Sequence, residues 1–228
     1  MRESVNETST GRAALIAAIG LLIMTITAPI ANFAIVGKLV VPGNAVQTFD
    51  NIVSSEGLFR LTIFIFLVVA LLDVVVAWAL YIFLKPVNKS LSLLTAWFRI
   101  IYAALLVAAL FDLLNVLQLV GGAGDYASVE TNRIQIQTMF LIRSFTQSWE
   151  FGLVVFGFHL LLLGYLTLKA GYMRRVLGIL LIVASAGYLI DGFGKIFSSN
   201  YAVNIAAFTF IGEVLLMFWL LIRGRRLE

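Results

Sequence analysis

Long apolar runs separated by short polar segments are the dominant pattern of this chain. A helix rises about 1.5 Å per residue and the hydrocarbon core of a bilayer is about 30 Å thick, so about 20 apolar residues make one span. The pattern therefore predicts an all-α membrane protein, a bundle of six transmembrane helices. The predicted spans are Ala13–Val41, Leu58–Leu84, Leu91–Val120, a fourth that ends near Leu168, Val176–Phe197 and Tyr201–Ile222.

Short polar segments separate the predicted spans. Pro42-Gly43-Asn44 ends the first helix, and we expect a polar loop from there to about Glu56. Lys85-Pro86-Val87-Asn88 predicts a tight turn, and Gly121–Asn132 predicts an acidic loop that contains glycine. The amphipathic stretch Ile134–Ser148 is expected to lead into the fourth span without a break.

Pro29 lies in the middle of the first predicted span. It lacks the amide that would bond the carbonyl of Thr25, so we expect a kink there. The kink has two interpretations, a functional hinge or discontinuous helix and a distortion that neighbouring helices tolerate, and we favour the second.

The distribution of lysine and arginine predicts the orientation, because cytoplasmic loops carry an excess of these residues. Ten lie at helix ends on one side and five on the other, with Arg99 inside a span. The ten are Arg2, Arg12, Lys85, Lys89, Lys169, Arg174, Arg175, Arg223, Arg225 and Arg226, and the five are Lys38, Arg60, Arg133, Arg143 and Lys195. We expect both termini in the cytoplasm, with tails at residues 1–12 and 223–228 flanking a single domain at 13–222.

Composition agrees with a membrane protein. The chain is 61% hydrophobic and 12% charged, with a mean hydropathy of +1.02, and a soluble protein cannot bury that much apolar surface. The basic residues lie between apolar runs and form no stripe, so we expect no nucleic-acid partner. Cysteine is absent, which excludes disulfides and cysteine-based metal sites.

Several short motifs recur in one known family. They are Leu80-Tyr81, Pro86-Val87-Asn88, Phe98-Arg99, Trp149-Glu150-Phe151-Gly152-Leu153, Phe156-Gly157-Phe158-His159-Leu160, Gly164-Tyr165-Leu166, Gly187-Tyr188-Leu189-Ile190-Asp191, Gly212-Glu213 and Trp219-Leu220-Leu221-Ile222. Together they resemble the prokaryotic integral-membrane family catalogued as domain of unknown function 4386, over nearly the whole chain. Met173-Arg174 departs from the Ile-Pro or Val-Pro expected there. The resemblance implies six membrane helices in a bacterial plasma (inner) membrane, and no known activity or catalytic residues.

Ionisable side chains at membrane depth are the candidate functional residues, since each costs about 2.5–3.5 kcal/mol to insert. Besides Arg99, the candidates for ligand or proton binding are Asp191, Glu213, Lys195, Asp112, Asp73, Glu150, Arg143 and His159. Counted along the helices, Asp73, His159 and Glu213 lie near the midplane and Arg99 towards the cytoplasm. The other candidates fall in the outer half.

Helical periodicity decides which candidates share a face. Asp191 and Lys195 are four residues apart and can pair. Glu150 and His159 are nine residues apart and point in nearly opposite directions, so they cannot form one compact dyad on an unbroken helix. The functional interpretation is an outward-facing polar cavity in the outer half of the bundle, lined by Asp112, Glu150, Asp191, Lys195 and Arg143, with Glu213 and Asp73 at its floor. The structural interpretation is a set of inter-helix pairs, such as Asp191 with Lys195 or a carboxylate with Arg99.

His159 is the only histidine in the chain. A lone histidine beside Phe158 and Leu160 is more often a hydrogen-bonded packing residue than a metal ligand, and zinc sites need three or four ligands with recognisable spacing. We therefore expect no metal and no cofactor. Metalloprotease, P-loop and serine-hydrolase motifs are missing from the sequence.

Three functions compete. The leading prediction is a non-enzymatic membrane component that binds a lipid, a hydrophobic ligand or a partner protein. The alternative is a small proton-linked transport or permeation module, which six helices would serve best as a dimer. An intramembrane enzyme comes last. We expect membrane lipids as partners, with a second copy or another membrane protein as a further candidate.

Overall fold

The computed structural model describes residues 8–121, 128–198 and 200–226, and every regular element in them is helical. The elements are α1 (Thr10–Pro29), a π-helical segment (Ile30–Val36), α2 (Gly37–Leu39), α3 (Ala45–Ser54), α4 (Glu56–Leu84), α5 (Lys89–Gly121), α6 (Ser128–Lys169), α7 (Arg175–Phe197), α8 (Ala206–Thr209), α9 (Ile211–Ile222) and a 3₁₀ turn (Gly224–Arg226). The all-helical prediction is confirmed for this part of the chain.

Within the described residues, five helices are long and apolar enough to cross a membrane. They are Thr10–Leu39, Glu56–Leu84, Lys89–Gly121, Thr131–Lys169 and Arg175–Phe197. Each corresponds to one of the first five predicted spans. The predicted sixth span is a shorter apolar helix, Ala206–Ile222, which divides into α8 and α9 at Phe210. The sixth crossing and the cytoplasmic position of both termini therefore remain predictions.

The first span changes its geometry directly after Pro29. Helix α1 ends at this proline and the next seven residues, Ile30–Val36, form a π-helix. Because proline has no N–H to donate, the regular α-helical bonding pattern cannot continue through it. A short π segment at such a position is one way to continue the helix.

The prediction of a polar loop between residue 42 and Glu56 is wrong. Only a short turn is present, where Gly43 has φ 78°, and α3 follows. Asn44 caps α3 by accepting a hydrogen bond of 3.0 Å from the Gln47 N–H. Thr48, Phe49 and Ile52 form the buried face of this helix, a helical spacing hidden among polar residues.

The predicted continuity of the fourth span is confirmed, because α6 runs unbroken from Ser128 to Lys169. The predicted acidic loop Gly121–Asn132 is too long, since α6 already begins at Ser128. Residues 122–127 of that loop lie outside the described residues, as do residues 1–7 of the predicted N-terminal tail and residues 227–228 of the C-terminal one.

The chain divides into two compact units. The second unit comprises Met24–Leu71 and Ala103–Gly152. Its core is built from aliphatic and aromatic side chains of the π-helical segment, α2, α3, α4, α5 and α6. Phe66 packs against Phe145 and Trp149, with ring centroids 5.5 and 5.4 Å away.

The first unit comprises residues up to Ile23, Leu72–Tyr102 and residues from Leu153 onward. Glycine lets its helices approach closely: a Cβ at Gly164 would lie 2.9 Å from the Gly178 carbonyl oxygen, between α6 and α7. At one end, the Tyr172 hydroxyl donates a 2.9 Å hydrogen bond to the Phe83 carbonyl, and burial raises the pKa of Tyr172 to about 12. The candidate site lies within this unit.

Candidate functional site

Asp73 and Arg99 form a buried ion pair in the first unit. Asp73 lies on α4 and Arg99 on α5, and Arg99 Nη2 is 2.7 Å from Asp73 Oδ1. The side chains are 0% and 3% exposed. The angles at this contact do not meet hydrogen-bond geometry, so neither oxygen of Asp73 accepts a hydrogen bond from a described residue. Electrostatic attraction therefore holds the pair together, and both carboxylate oxygens of Asp73 are still able to accept hydrogen bonds.

His159, on α6, continues the polar chain from Arg99. Arg99 Nη1 lies 3.3 Å from His159 Nε2, and His159 Nδ1 lies 2.8 Å from the carbonyl oxygen of Thr95. Arginine can only donate and a carbonyl can only accept, so Nε2 is the acceptor and Nδ1 carries the proton. His159 in this arrangement is a neutral imidazole that connects Arg99 to the α5 backbone.

Phe156 forms an aromatic wall beside these groups. The Arg99 guanidinium lies 5.3 Å from the centre of its ring, in cation–π range, and the His159 ring stacks on it at 5.4 Å. Tyr102 and Tyr188 also contact it, at 4.9 and 5.6 Å between ring centroids. Apolar rings around a charged pair strengthen its electrostatics by keeping water away.

Glu213, on α9, is the second carboxylate of this site. The Tyr188 hydroxyl interacts with it as a hydrogen-bond donor, and it lies within the electrostatic influence of Arg99 and Asp73. Its Oε1 atom is buried and receives no hydrogen bond from the described residues. We call Asp73, Arg99, His159, Tyr188 and Glu213 the Arg99 cluster.

The Arg99 cluster has more acid than base. Arg99 supplies one positive charge, His159 is neutral, and Asp73 and Glu213 supply two carboxyl groups. Two ionised carboxylates beside one guanidinium would leave a negative charge in a medium of low dielectric, which is strongly unfavourable. The stable state therefore has a proton on one carboxyl or a cation beside it. Glu213 is the more favourable site for this proton or cation, since Asp73 is already paired with Arg99.

Asp191 lies outside the Arg99 cluster and, unlike Asp73, accepts several hydrogen bonds. Its Oδ1 accepts hydrogen bonds from the Tyr201 hydroxyl at 2.7 Å and the Ile205 N–H at 3.0 Å, and its Oδ2 accepts one from the Ala206 N–H at 2.7 Å. These amides are at the start of α8, where backbone N–H groups have no partners within the helix. Asp191 thus anchors the connection between α7 and α8.

We expect Asp191→Asn to destabilise the protein by about 1–3 kcal/mol, because an amide offers one oxygen and one NH₂ group to three donors. The Ala206 N–H would face a donor instead of an acceptor. The measurement is unfolding in detergent. Asp50→Asn, on the exposed side of α3, is the matched control and should unfold like the wild type. A variant at Asp191 that is as stable as the wild type would contradict the anchoring role.

The remaining predicted candidates lie outside the Arg99 cluster. Asp112, Arg143 and Glu150 belong to the second unit, where Arg143 is exposed and the other two are half-buried. Lys195 is exposed in the first unit and contributes electrostatically to Asp191. The outward-facing cavity that would combine these residues stays a prediction. Among the described residues no group of three histidine or acidic side chains is placed to hold a metal.

The sequence-based assignment found four charged or imidazole members of the cluster and missed its aromatic part. Pairing of a carboxylate with Arg99 was one of the structural interpretations, and Asp73 is that carboxylate. Hydrogen bonding of His159 is also confirmed. Tyr188 was not among the candidate residues, although it precedes the candidate Asp191 by three residues in the same motif. A tyrosine deep in an apolar span is the signal that could have identified it.

Comparison with known proteins gives a family and no activity. The sequence profile of the family described as domain of unknown function DUF4386 matches residues 16–224. A protein from Archaeoglobus fulgidus described as uncharacterized is 40% identical over 164 residues, which cover 72% of this chain and 83% of the relative. No solved structure matches significantly.

Proposed function

The chain belongs to the DUF4386 family, whose description carries no activity, and we propose from the Arg99 cluster that it is a proton-linked membrane transport or permeation module. Glu213 is the group that takes up and releases the proton, and Arg99 is its fixed counter-charge. The single observation that carries the proposal is the buried Oε1 of Glu213, which receives no hydrogen bond from a described residue while Arg99 is paired to Asp73.

The geometry supports a division of roles between the two carboxyl groups. Asp73 neutralises Arg99 and holds it in place, and His159 orients the guanidinium from the other side. Among the described residues, Tyr188 is the one hydrogen-bond donor to Glu213, so protonation of Glu213 gives up few hydrogen bonds. Ionisable groups inside transmembrane segments are rare, and they mark pathways for ions and protons.

The same proposal includes location and assembly. The proposed location is the plasma membrane, with both termini in the cytoplasm. The excess of lysine and arginine on one side supports this orientation. A bundle of this size has little room for a translocation path of its own, which supports a functional dimer.

Proton movement into liposomes tests the proposal. Purified protein is reconstituted with a pH-sensitive dye inside, and a potassium gradient with valinomycin drives protons inward. We expect the wild type to acidify the interior faster than protein-free liposomes, and Glu213→Gln to reduce the rate to their level. Glutamine keeps the shape and the acceptor for Tyr188 and removes the titrating group.

Glu56→Gln is the matched control, because Glu56 pairs with Arg60 at the exposed start of α4. It should acidify the liposomes like the wild type. Equal rates in the wild type and Glu213→Gln would contradict the role of Glu213. A wild type that moves no protons above the protein-free rate would contradict the transport function.

The second candidate is the component that binds a lipid, a hydrophobic ligand or a partner protein. A groove of about 390 Å³ in the second unit favours it, lined by Leu105, Ala108 and Ala109 on α5 and by Gln147, Ser148 and Phe151 on α6. Apolar walls with a few polar groups are typical of small-molecule sites. Binding there does not use Glu213, so the liposome measurement separates the two candidates.

A further inference from the structure

A second groove lies in the first unit, between the beginning of α7 and the end of α9. It has a volume of about 360 Å³. Its walls are apolar side chains of both helices, among them Leu177, Leu180, Leu215 and Phe218. Arg174 and Arg223 stand at its mouth, one directly before α7 and the other directly after α9. Both arginines are exposed, and neither forms an ion pair with a described residue.

We propose that this groove binds one anionic phospholipid, with its phosphate between Arg174 and Arg223 and an acyl chain between α7 and α9. Two guanidinium groups at the mouth of an apolar groove match a charged headgroup followed by a hydrocarbon chain. A zwitterionic lipid carries the same chains and lacks the net charge. This site is separate from the Arg99 cluster and does not depend on the proposed proton transport.

The distance along α9 from its contact with α7 to its arginine end fits one leaflet of a bilayer. The helices touch at Gly212, where a Cβ would lie 2.6 Å from the Leu180 carbonyl oxygen. From Gly212 to Ile222 the helix rises roughly 15 Å, at about 1.5 Å per residue. Half of a hydrocarbon core of about 30 Å has the same length. An acyl chain that starts at the arginines would therefore reach the closed end of the groove at the bilayer midplane.

The headgroup end has the features of a membrane interface. Trp219 lines the groove one turn before Arg223, and tryptophan is enriched at the level of lipid headgroups. Arg174 makes no side-chain cap for α7, and the Leu177 N–H donates to the Arg174 carbonyl. The N–H groups of Arg175 and Val176 are therefore the ones that a phosphate would contact. Arg174 and Arg223 also belong to the side predicted to face the cytoplasm, where anionic lipids accumulate.

Native mass spectrometry with defined lipids tests the site. The protein is exchanged into micelles that contain equal amounts of phosphatidylglycerol and phosphatidylcholine, and bound lipid is counted. We expect the wild type to retain one phosphatidylglycerol at least tenfold more than phosphatidylcholine. The double variant Arg174→Gln/Arg223→Gln should lose this preference. The control Arg60→Gln/Arg133→Gln removes the same charge from exposed positions elsewhere and should keep it.

Two further measurements distinguish recognition of the lipid headgroup from recognition of its acyl chain. Leu215→Trp fills the apolar groove and keeps both arginines, so it should also reduce retention of phosphatidylglycerol. Inorganic phosphate at millimolar concentration should not displace the bound lipid, because it lacks the chain. Equal retention of the two lipids by the wild type would overturn the proposal, as would unchanged preference in the arginine double variant. Displacement by phosphate would show a simple anion site instead.

Discussion

Arg99→Gln is expected to lower the free energy of unfolding by about 3–5 kcal/mol, the range for breaking a buried ion pair by removing one partner. The arginine is 3% exposed and its partner Asp73 is fully buried. Without the guanidinium, Asp73 would keep a charge in an apolar interior or bind a proton, and His159 Nε2 would lose its donor. Either adjustment destabilises the folded state.

A double-mutant cycle tests this expectation. Asp73→Asn alone should also destabilise the protein, because it removes the carboxylate that pairs with the buried Arg99 guanidinium. Asp73→Asn/Arg99→Gln together should recover part of the loss, since two neutral amides can bond to each other. The measurement is unfolding in detergent micelles for the wild type, both single variants and the double variant.

Arg60→Gln provides the comparison with an exposed pair. Arg60 Nη2 lies 2.6 Å from Glu56 Oε1, four residues earlier on α4, and both side chains are exposed. Such pairs contribute about 0–1 kcal/mol, because water screens the charges. If Arg99→Gln and Arg60→Gln destabilise the protein equally, the buried pair is not the constraint that its geometry suggests.

The spans were predictable because their signal is local. The ends of Glu56–Leu84 and Arg175–Phe197 differ from the predicted ends by at most two residues. The requirement to match apolar length to bilayer thickness acts on each helix separately. The amphipathic α3 was missed since its buried residues Thr48, Phe49 and Ile52 include only two apolar side chains among polar neighbours.

The partners of the buried polar groups could not be predicted, because they depend on how helices pack. Asp191 and Lys195 share a helical face, and this local rule suggested a pair. In the structure the carboxylate accepts N–H groups from Ile205 and Ala206, 14 and 15 residues later in the chain. Free backbone N–H groups at a helix start are strong competitors for a carboxylate, and only the fold brings them to Asp191.

The contact between Arg99 and Asp73 also depends on packing, and the predicted depths did not suggest it. Counting residues put Arg99 towards the cytoplasm and Asp73 near the midplane, so they were assigned to different levels. A long arginine side chain can extend along the helix to reach a partner at another level. In the structure Arg99 Nη2 lies 2.7 Å from Asp73 Oδ1, and the depths of the two residues in a membrane remain predictions.

Gly212→Ala is the second large effect that we expect, because Gly212 is the point where α9 touches the backbone of α7. A Cβ there would lie 2.6 Å from the Leu180 carbonyl oxygen and 2.7 Å from its carbonyl carbon. Backbone atoms cannot rotate away as a side chain can, so α9 must shift. Overpacking of this kind costs about 1–3 kcal/mol.

The same substitution at Gly57 is the matched control. Gly57 lies in the first turn of α4, and a Cβ there would meet nothing within 4 Å. Alanine is the better helix former by up to about 1 kcal/mol, so Gly57→Ala should stabilise the protein slightly while Gly212→Ala destabilises it. Unfolding in detergent measures both. Because Glu213 follows Gly212, the shift of α9 in Gly212→Ala should also slow proton entry into liposomes. A Gly212→Ala variant that is destabilised but keeps the wild-type rate would show that the packing at Gly212 does not control the position of Glu213.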